Sequence, residues 1–303
     1  MVITKLASGH INGTFLVTGH DRYVLQCLNN TLFEHHTDEL VHNYMQYVSA
    51  CDKCCADLFW VYPKWVENHD GGFIHLDEDG LMWRMYKFIP DKTGDEENVS
   101  AYEAGLGLGR LHYILKQCDD IKEIRTIAHL HDLLWHYSAY ENAKVSMVRD
   151  KDADALIAEY AKAMLSVSVP LGNIIHGDAK AANMLIRDGH VVGFIDLDTI
   201  KTGSRFDDLA DCIRSCCITD GKYDKSKADE LLDGYMEGAD TGFSASAGVL
   251  VHKNVARASF MLAIRYYTDY LTGGDYFSGS TSEHKLERAK QLLETVQSMQ
   301  NIV

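Results

Sequence analysis

Apolar and polar residues alternate with a period of two over the first part of the chain. Thr14-Phe15-Leu16-Val17 and Arg22–Leu28 read as strands, joined by a turn at Thr18-Gly19-His20-Asp21. From residue 38 to 50 the period becomes helical, with Leu40, Val41, Tyr44, Met45 and Val48 on one side. Phe59-Trp60-Val61-Tyr62 reads as a further strand. Phe73-Ile74-His75-Leu76 and Leu81–Tyr86 flank Asp77-Glu78-Asp79-Gly80, a hairpin signal because Asp-Gly tolerates the positive φ of a tight turn. Asp91 to Asn98 is polar and reads as a linker. Beyond it, helical periodicity runs over 99–117, 127–143, 152–167, 205–218, 225–239, 247–272 and 282–300, with one β-like interruption near 174–196. The pattern predicts an α+β, two-lobed architecture. Residues 1–90 form a small β-rich N-terminal lobe, a hinge lies at about 87–97, and residues 98–303 form a large, mainly helical lobe. A ligand is expected in the cleft between them.

Composition narrows the classes of function. The 303 residues carry 44 acidic and 29 basic side chains, a net charge of −15, which argues against nucleic acid as the main partner. No run of about 18 apolar residues predicts a membrane span, and the first residues lack the apolar core of a signal peptide, so a cytoplasmic protein is expected. Eight cysteines are then expected as free thiols. Cys51, Cys54 and Cys55, and Cys212, Cys216 and Cys217, sit in helical or apolar surroundings and read as core thiols rather than as a zinc site.

The chemistry concentrates in one stretch. Ile174-Ile175 leads into His176-Gly177-Asp178-Ala179-Lys180-Ala181-Ala182-Asn183, and a hairpin turning at Asp188-Gly189 ends at Ile195-Asp196-Leu197-Asp198. Three oxygen-bearing side chains, Asp178, Asn183 and Asp196, converge from one loop and one strand end. Buried carboxylates are costly unless paired or metal-bound, and oxygen donors of this kind suit Mg²⁺ completed by water and phosphate. Asp198 either pairs with a loop cation or faces the substrate.

His-Gly-Asp-x-x-x-x-Asn followed by Ile-Asp-Leu-Asp resembles the catalytic core of the aminoglycoside phosphotransferase and choline kinase superfamily, kinase-like folds that phosphorylate small-molecule hydroxyls. The resemblance implies Asp178 as the base that orients the acceptor hydroxyl, with Lys180 stabilising charge on the transferred phosphoryl group. It implies Asn183 and Asp196 as Mg²⁺ ligands beside ATP, and His176 as a residue that holds the loop. Gly9-His10-Ile11-Asn12-Gly13-Thr14 lies where this superfamily covers the ATP phosphates, which brings in Gly9, Asn12, Gly13 and Thr14. The strand lysine of kinase-like folds is replaced by Gln26.

Gly9 to Thr14, Tyr23 to Gln26, Asn29 to Phe33, and Trp83 to Pro90 together resemble N-acetylhexosamine 1-kinases. That likeness implies adenine held by the backbone of Lys87, Phe88 and Ile89. The segment Arg265 to Phe277 is similar too, and implies that Arg265 and Tyr276 contact the sugar, with Asp178 and Asp198 also on the substrate side. The expectation is an ATP- and Mg²⁺-dependent kinase for a small-molecule sugar, acting on the anomeric 1-hydroxyl of an N-acetylhexosamine, with no nucleic acid and no membrane partner. A kinase of aminoglycosides or of choline-like amino alcohols, and a nucleotide-binding pseudokinase module, are the alternatives.

Overall fold

The computed structural model describes residues 1–6, 12–54, 59–94, 96, 98–124, 129–145, 149–274, 276, 277 and 279–301. The chain opens with β1 (Val2–Lys5), β2 (Gly13–Thr18) and β3 (Arg22–Cys27), followed by a short α1 (Asn30–Phe33) and by α2 (Thr37–Cys54). Then come β4 (His75–Leu76) and β5 (Met82–Lys87). These strands form one sheet in the order β1-β2-β3-β5-β4, every pair antiparallel. The register sets Thr14 opposite Gln26 and Gln26 opposite Arg84. Because side chains alternate across a pleat, these three stand in one row on one face.

The helical part comprises α3 (Ala101–Leu115), α4 (Leu133–Ala143), α5 (Lys151–Ser166), α6 (Arg205–Cys216), α7 (Lys225–Gly238), α8 (Ala245–Thr272) and α9 (Ser282–Ser298). Side-chain caps fix most of their starts: Ser100, Asp132, Asp150, Ser204, Asp224, Ser244 and Thr281 each accept an amide hydrogen from the first turn. Between α5 and α6 lie β7 (Asn173–Ile175), the hairpin β8 (Met184–Arg187) and β9 (His190–Phe194), and β10 (Lys201–Gly203), which pairs with β7. A small hairpin of β11 (Ile218–Thr219) and β12 (Lys222–Tyr223) follows α6. Among the described residues, no helix is long and apolar enough to cross a membrane.

Four expectations are corrected. Phe59–Tyr62 is not a strand: Trp60 is buried in the main core, and only Val61 makes a bridge, to Gly193. The Phe73–Tyr86 hairpin shrinks to His75–Leu76 against Trp83 and Met82, because Asp77 organises a wider turn: its carboxylate accepts from the Asp79 and Leu81 amides and from the Trp83 indole. In the polar stretch from Asp91, Lys92–Thr93 form β6, which adds to β8 and so ties the connection to the β8–β9 hairpin. The helix expected from 127 begins at Leu133, after a turn over 129–131 and the Asp132 cap. Cys51, Cys212 and Cys217 are buried and not in disulfides, and Cys55 lies outside the described residues.

One close crossing sets the position of the site. Helix α3 carries Gly105, Gly107 and Gly109, and α7 carries Gly234 and Gly238. Glycine in a helix interior costs roughly 1 kcal/mol against alanine, so each needs a packing reason. A β-carbon on Gly105 would stand 1.8 Å from the Leu231 carbonyl oxygen, and one on Gly234 would stand 2.0 Å from that of Tyr102. Backbone lies against backbone there, whereas a β-carbon on Gly107 would stand 2.3 Å from the Val191 side chain of β9. The helix is thereby clamped between α7 and the catalytic hairpin, which places His112 on its last turn. Gly105→Ala is expected to lower the unfolding free energy by about 1–3 kcal/mol, the usual cost of overpacking, measured by urea denaturation.

Candidate active site

The catalytic loop is built on a buried carboxylate. Asp208, on the first turns of α6, is fully buried. Its oxygens accept from the backbone amides of His176 at 2.7 Å and Gly177 at 2.8 Å, and it faces His112 Nε2 at 2.9 Å. Burial pushes its carboxyl up, but the His112 bond and the loop amides outweigh this and hold it below the usual carboxylate range. Gly177 has φ +84°, and a β-carbon there would stand 2.4 Å from the Thr199 carbonyl oxygen, so only glycine fits. His176 Nε2 lies 2.9 Å from the Ile195 carbonyl, and its Nδ1 accepts from the Asp178 amide at 3.3 Å. This geometry is that of a neutral ring with its proton on Nε2. The ring ties the loop to the far end of the β8–β9 hairpin.

Asp178 emerges from this frame partly exposed. One oxygen, Oδ2, receives Lys180 Nζ at 2.7 Å and Asn183 Nδ2 at 3.1 Å. Among the described residues Oδ1 receives no donor. Burial works against the Lys180 charge, but Asp178 more than compensates and raises its pKa, so the ammonium is retained. Asn183 Nδ2 also donates to the Asp178 carbonyl at 2.8 Å, which turns its amide oxygen away from the loop. The Ile195 amide donates to the Asn183 carbonyl, so the hairpin ends bring Asn183 and Asp196 side by side. Asp196 adopts a left-handed conformation, φ 61° and ψ 53°, which is uncommon for a residue with a β-carbon. Among the described residues its carboxylate accepts no hydrogen bond. Burial and the nearby charges of Asp198 and Asp178 push it up to about 6. A carboxylate without donors, beside the free amide oxygen of Asn183, fits a divalent cation of the Mg²⁺ type, which takes one or two protein oxygens and leaves the rest to phosphate and water.

Asp198 faces a cation supplied by the sheet. Arg84, buried on β5, reaches both its oxygens, at 2.5 Å through Nη1 and 2.7 Å through Nη2. The same guanidinium donates from Nε and Nη2 to Gln26 Oε1, at 2.9 and 2.7 Å, and stacks 4.7 Å over the Trp65 ring. Gln26 Nε2 passes on to Thr14 Oγ1. Asn12 closes the row: its amide nitrogen donates to Asp198 Oδ2 at 3.0 Å, and its oxygen accepts from the Asn29 amide. Gly13 and Thr14 open β2 beside it, whereas Gly9 lies outside the described residues. At the other end of β5 the Lys87 amide is taken by the Lys64 carbonyl and the Phe88 amide by that of Arg22, while Ile89 follows unstructured.

Arg265 and Tyr276, the two residues expected on the sugar side, lie against each other. The Arg265 guanidinium bonds the Tyr276 hydroxyl and stacks 5.1 Å from its ring. Asp269 builds the turn that presents Tyr276, accepting from the Tyr276 and Phe277 amides, and is neutralised by Lys285 at 2.8 Å. Among the described residues Arg265 Nε is buried without a partner, as is His136 Nε2 on α4. Burial and the charge of Arg265 push His136 down to about 4, so it is neutral at pH 7. The link back to the loop is Asp211 of α6, whose charge acts on Lys180 and which pairs with His131 at 3.4 Å and Arg214 at 3.3 Å. Arg257 of α8 holds the His131 carbonyl at 2.9 Å, and Arg265 lies two turns, about 12 Å, further along the same helix.

Three residues of this arrangement, Arg84, Asp208 and His112, escaped the sequence reading. Arg84 did leave a signal. It occupies the inward parity of a strand, with Met82, and an inward charge needs a partner. Asp208 and His112 look like ordinary helix residues until the fold brings them under the loop.

Burial raises Asp211, but His131 and Arg214 win and bring it down to about 2. A carboxylate depressed in the native state contributes stability above its unfolded pKa and loses it as pH falls through the native value. Here the window runs from about pH 4 down to about pH 2, and the contribution is about 2 kcal/mol. Asp211→Asn is expected to be less stable at neutral pH and to lose less of its remaining stability on acidification, followed by urea unfolding at stepped pH.

A family model described as "Phosphotransferase enzyme family" matches residues 2–247. Aminoglycoside 2'-phosphotransferase-IIIa, solved with GDP, has a TM-score of 0.65 at 13% identity, covering 99% of this chain and 93% of that one. Amicoumacin kinase hAmiN, solved with AMP-PNP and Ca²⁺, has a TM-score of 0.64 at 14% identity, over 96% and 87%. Choline kinase from Cryptosporidium parvum Iowa II has a TM-score of 0.61 at 12% identity, over 100% and 91%. At these identities the shared property is the kinase-like fold. The family match spans the sheet, the catalytic loop and the α6 carboxylates together, and this chain belongs to the phosphotransferase enzyme family.

Proposed function

We propose that the protein is an ATP-dependent small-molecule kinase whose acceptor is the anomeric hydroxyl of an N-acetylhexosamine. The observation that supports the kinase reading is the one-sided engagement of Asp178. Lys180 and Asn183 fix Oδ2, and Oδ1 is left to orient an incoming hydroxyl and take its proton. Lys180 keeps its charge beside the transferred phosphoryl oxygens. Asn183 and Asp196 would hold Mg²⁺, which would draw charge from the phosphates. Adenine then lies against the backbone after β5, where the Lys87 and Phe88 amides are already engaged, leaving the contact to Ile89 and neighbouring carbonyls.

Arg265 supports the choice of a sugar. It offers a buried Nε–H without a partner among the described residues, next to a flat aromatic ring, and the carboxylates Asp269 and Asp211 are spent on Lys285, His131 and Arg214. Such a group donates hydrogen bonds to hydroxyl or acetamido oxygens, and these two carboxylates are not left to bind a polyamine.

Asp178→Asn is expected to lower kcat at least 100-fold, in the range usual for loss of a general base, with the ATP KM held within about threefold. A variant that keeps a tenth of the wild-type rate overturns the base role. In coupled assays with Mg²⁺ and ATP, turnover is expected on N-acetylglucosamine or N-acetylgalactosamine; turnover confined to aminoglycosides or choline overturns the sugar assignment. Arg265→Ala is expected to raise the acceptor KM and not that of ATP, and an equal rise in both removes Arg265 from the acceptor pocket.

A further inference from the structure

Gln26 stands where kinase-like folds carry a phosphate-binding lysine, yet the site is not short of a cation. Arg84 is the cross-strand neighbour of Gln26, and directly paired residues of an antiparallel ladder point to the same face. Its guanidinium therefore occupies the space a lysine at 26 would reach. We propose that Arg84 is the nucleotide-phosphate cation of this protein, that Gln26 is its positioning residue, and that Asp198 is its counter-ion rather than an acceptor-binding group. This rests on the reading that the site binds a nucleotide.

The hydrogen-bond inventory supports it. A guanidinium has five N–H groups. Four are used here: Nε–H and one Nη2–H on Gln26 Oε1, the other Nη2–H on Asp198 Oδ2, and one Nη1–H on Asp198 Oδ1. Among the described residues the second Nη1–H takes no acceptor, and Nη1 itself is bonded to Asp198, two residues beyond Asp196. The fork is locked by two planar acceptors and by the Trp65 face, so no side-chain freedom is lost when a phosphate arrives. Gln26 suits this role because its Oε1 is a neutral acceptor for two N–H groups, where a lysine would repel the arginine. Asp198 also receives Asn12, so the arginine, its counter-ion and the start of β2 form one charge-balanced unit.

The test compares ADP and adenosine, with Mg²⁺ present, by isothermal titration. The reference is Asp198→Asn, which removes the counter-ion; the test variant adds Arg84→Met, so that no buried carboxylate is left unpaired. Adding Arg84→Met is expected to weaken ADP at least tenfold and adenosine less than twofold. Introducing Gln26→Lys into that double variant is expected to recover at least threefold of the ADP affinity and leave adenosine unchanged. Should the double variant fail to fold, as judged by circular dichroism, Arg84→Lys in the otherwise unaltered chain decides. It is expected to weaken ADP about two- to fivefold and to leave adenosine unchanged. Equal losses for ADP and adenosine overturn the proposal in favour of a purely structural tie, as does an undiminished ADP affinity. Wild-type protein that binds neither ligand overturns the nucleotide reading itself, and with it the inference.

Discussion

A carboxylate without water must have its lone pairs filled by the protein, and Asp208 meets that demand by holding the catalytic loop. It reaches two consecutive loop amides and a histidine from another helix. An unpaired buried charge costs several kcal/mol, so α3, α6 and the loop are bound to one relative arrangement. The glycine crossing of α3 with α7 sets where His112 ends up, and Gly177 lets the chain pass under Thr199. Asp178, Lys180 and Asn183 inherit their geometry from this frame, so few of their own contacts are needed to orient them.

The same economy operates across the junction of sheet and helices. Arg84 and Asp198 are both nearly inaccessible, and the desolvation of each is offset by a two-point ion pair supplemented by Gln26 and Asn12. Asp196 is treated differently. It is left with no donor and with like charges nearby, a condition that a bound divalent cation relieves. Neighbouring carboxylates thus have opposite environments, one neutralised by protein and one kept open, and the difference follows from which of them the sheet's arginine reaches.

The −15 net charge says little about such a site. Cations are concentrated where the chemistry requires them: Lys180 on the loop, Arg84 on the sheet, Arg257 and Arg265 on α8. Many of the acidic residues serve as caps, counter-ions or turn builders, as Asp150, Asp211 and Asp77 illustrate.

Much of the fold was legible in the sequence because local signals were strong. Helices α5 to α9 begin at side-chain caps and keep a 3.6-residue period, and β2 and β3 alternate cleanly around a polar turn. The loop bearing Asp178 and Asn183, and Asp196 at the strand end, was legible as well, since polar residues framed by apolar strands have no simpler explanation. What the sequence left undecided depended on partners far along the chain. Phe59–Tyr62 has the composition of a strand, but Trp60 finds a core and the backbone finds little edge to pair with. Lys92–Thr93 looks like linker until β8 offers an edge. Asp198 read equally well as a substrate contact or an ion-pair partner, because 114 positions separate it from Arg84. Periodicity and capping are properties of neighbours within one or two turns, so the sequence by itself determined the elements and the chemistry-bearing loop. Pairing of buried charges is a property of chain closure, so only the tertiary structure decided which carboxylate is neutralised, which stays open, and which cation stands in for the missing lysine.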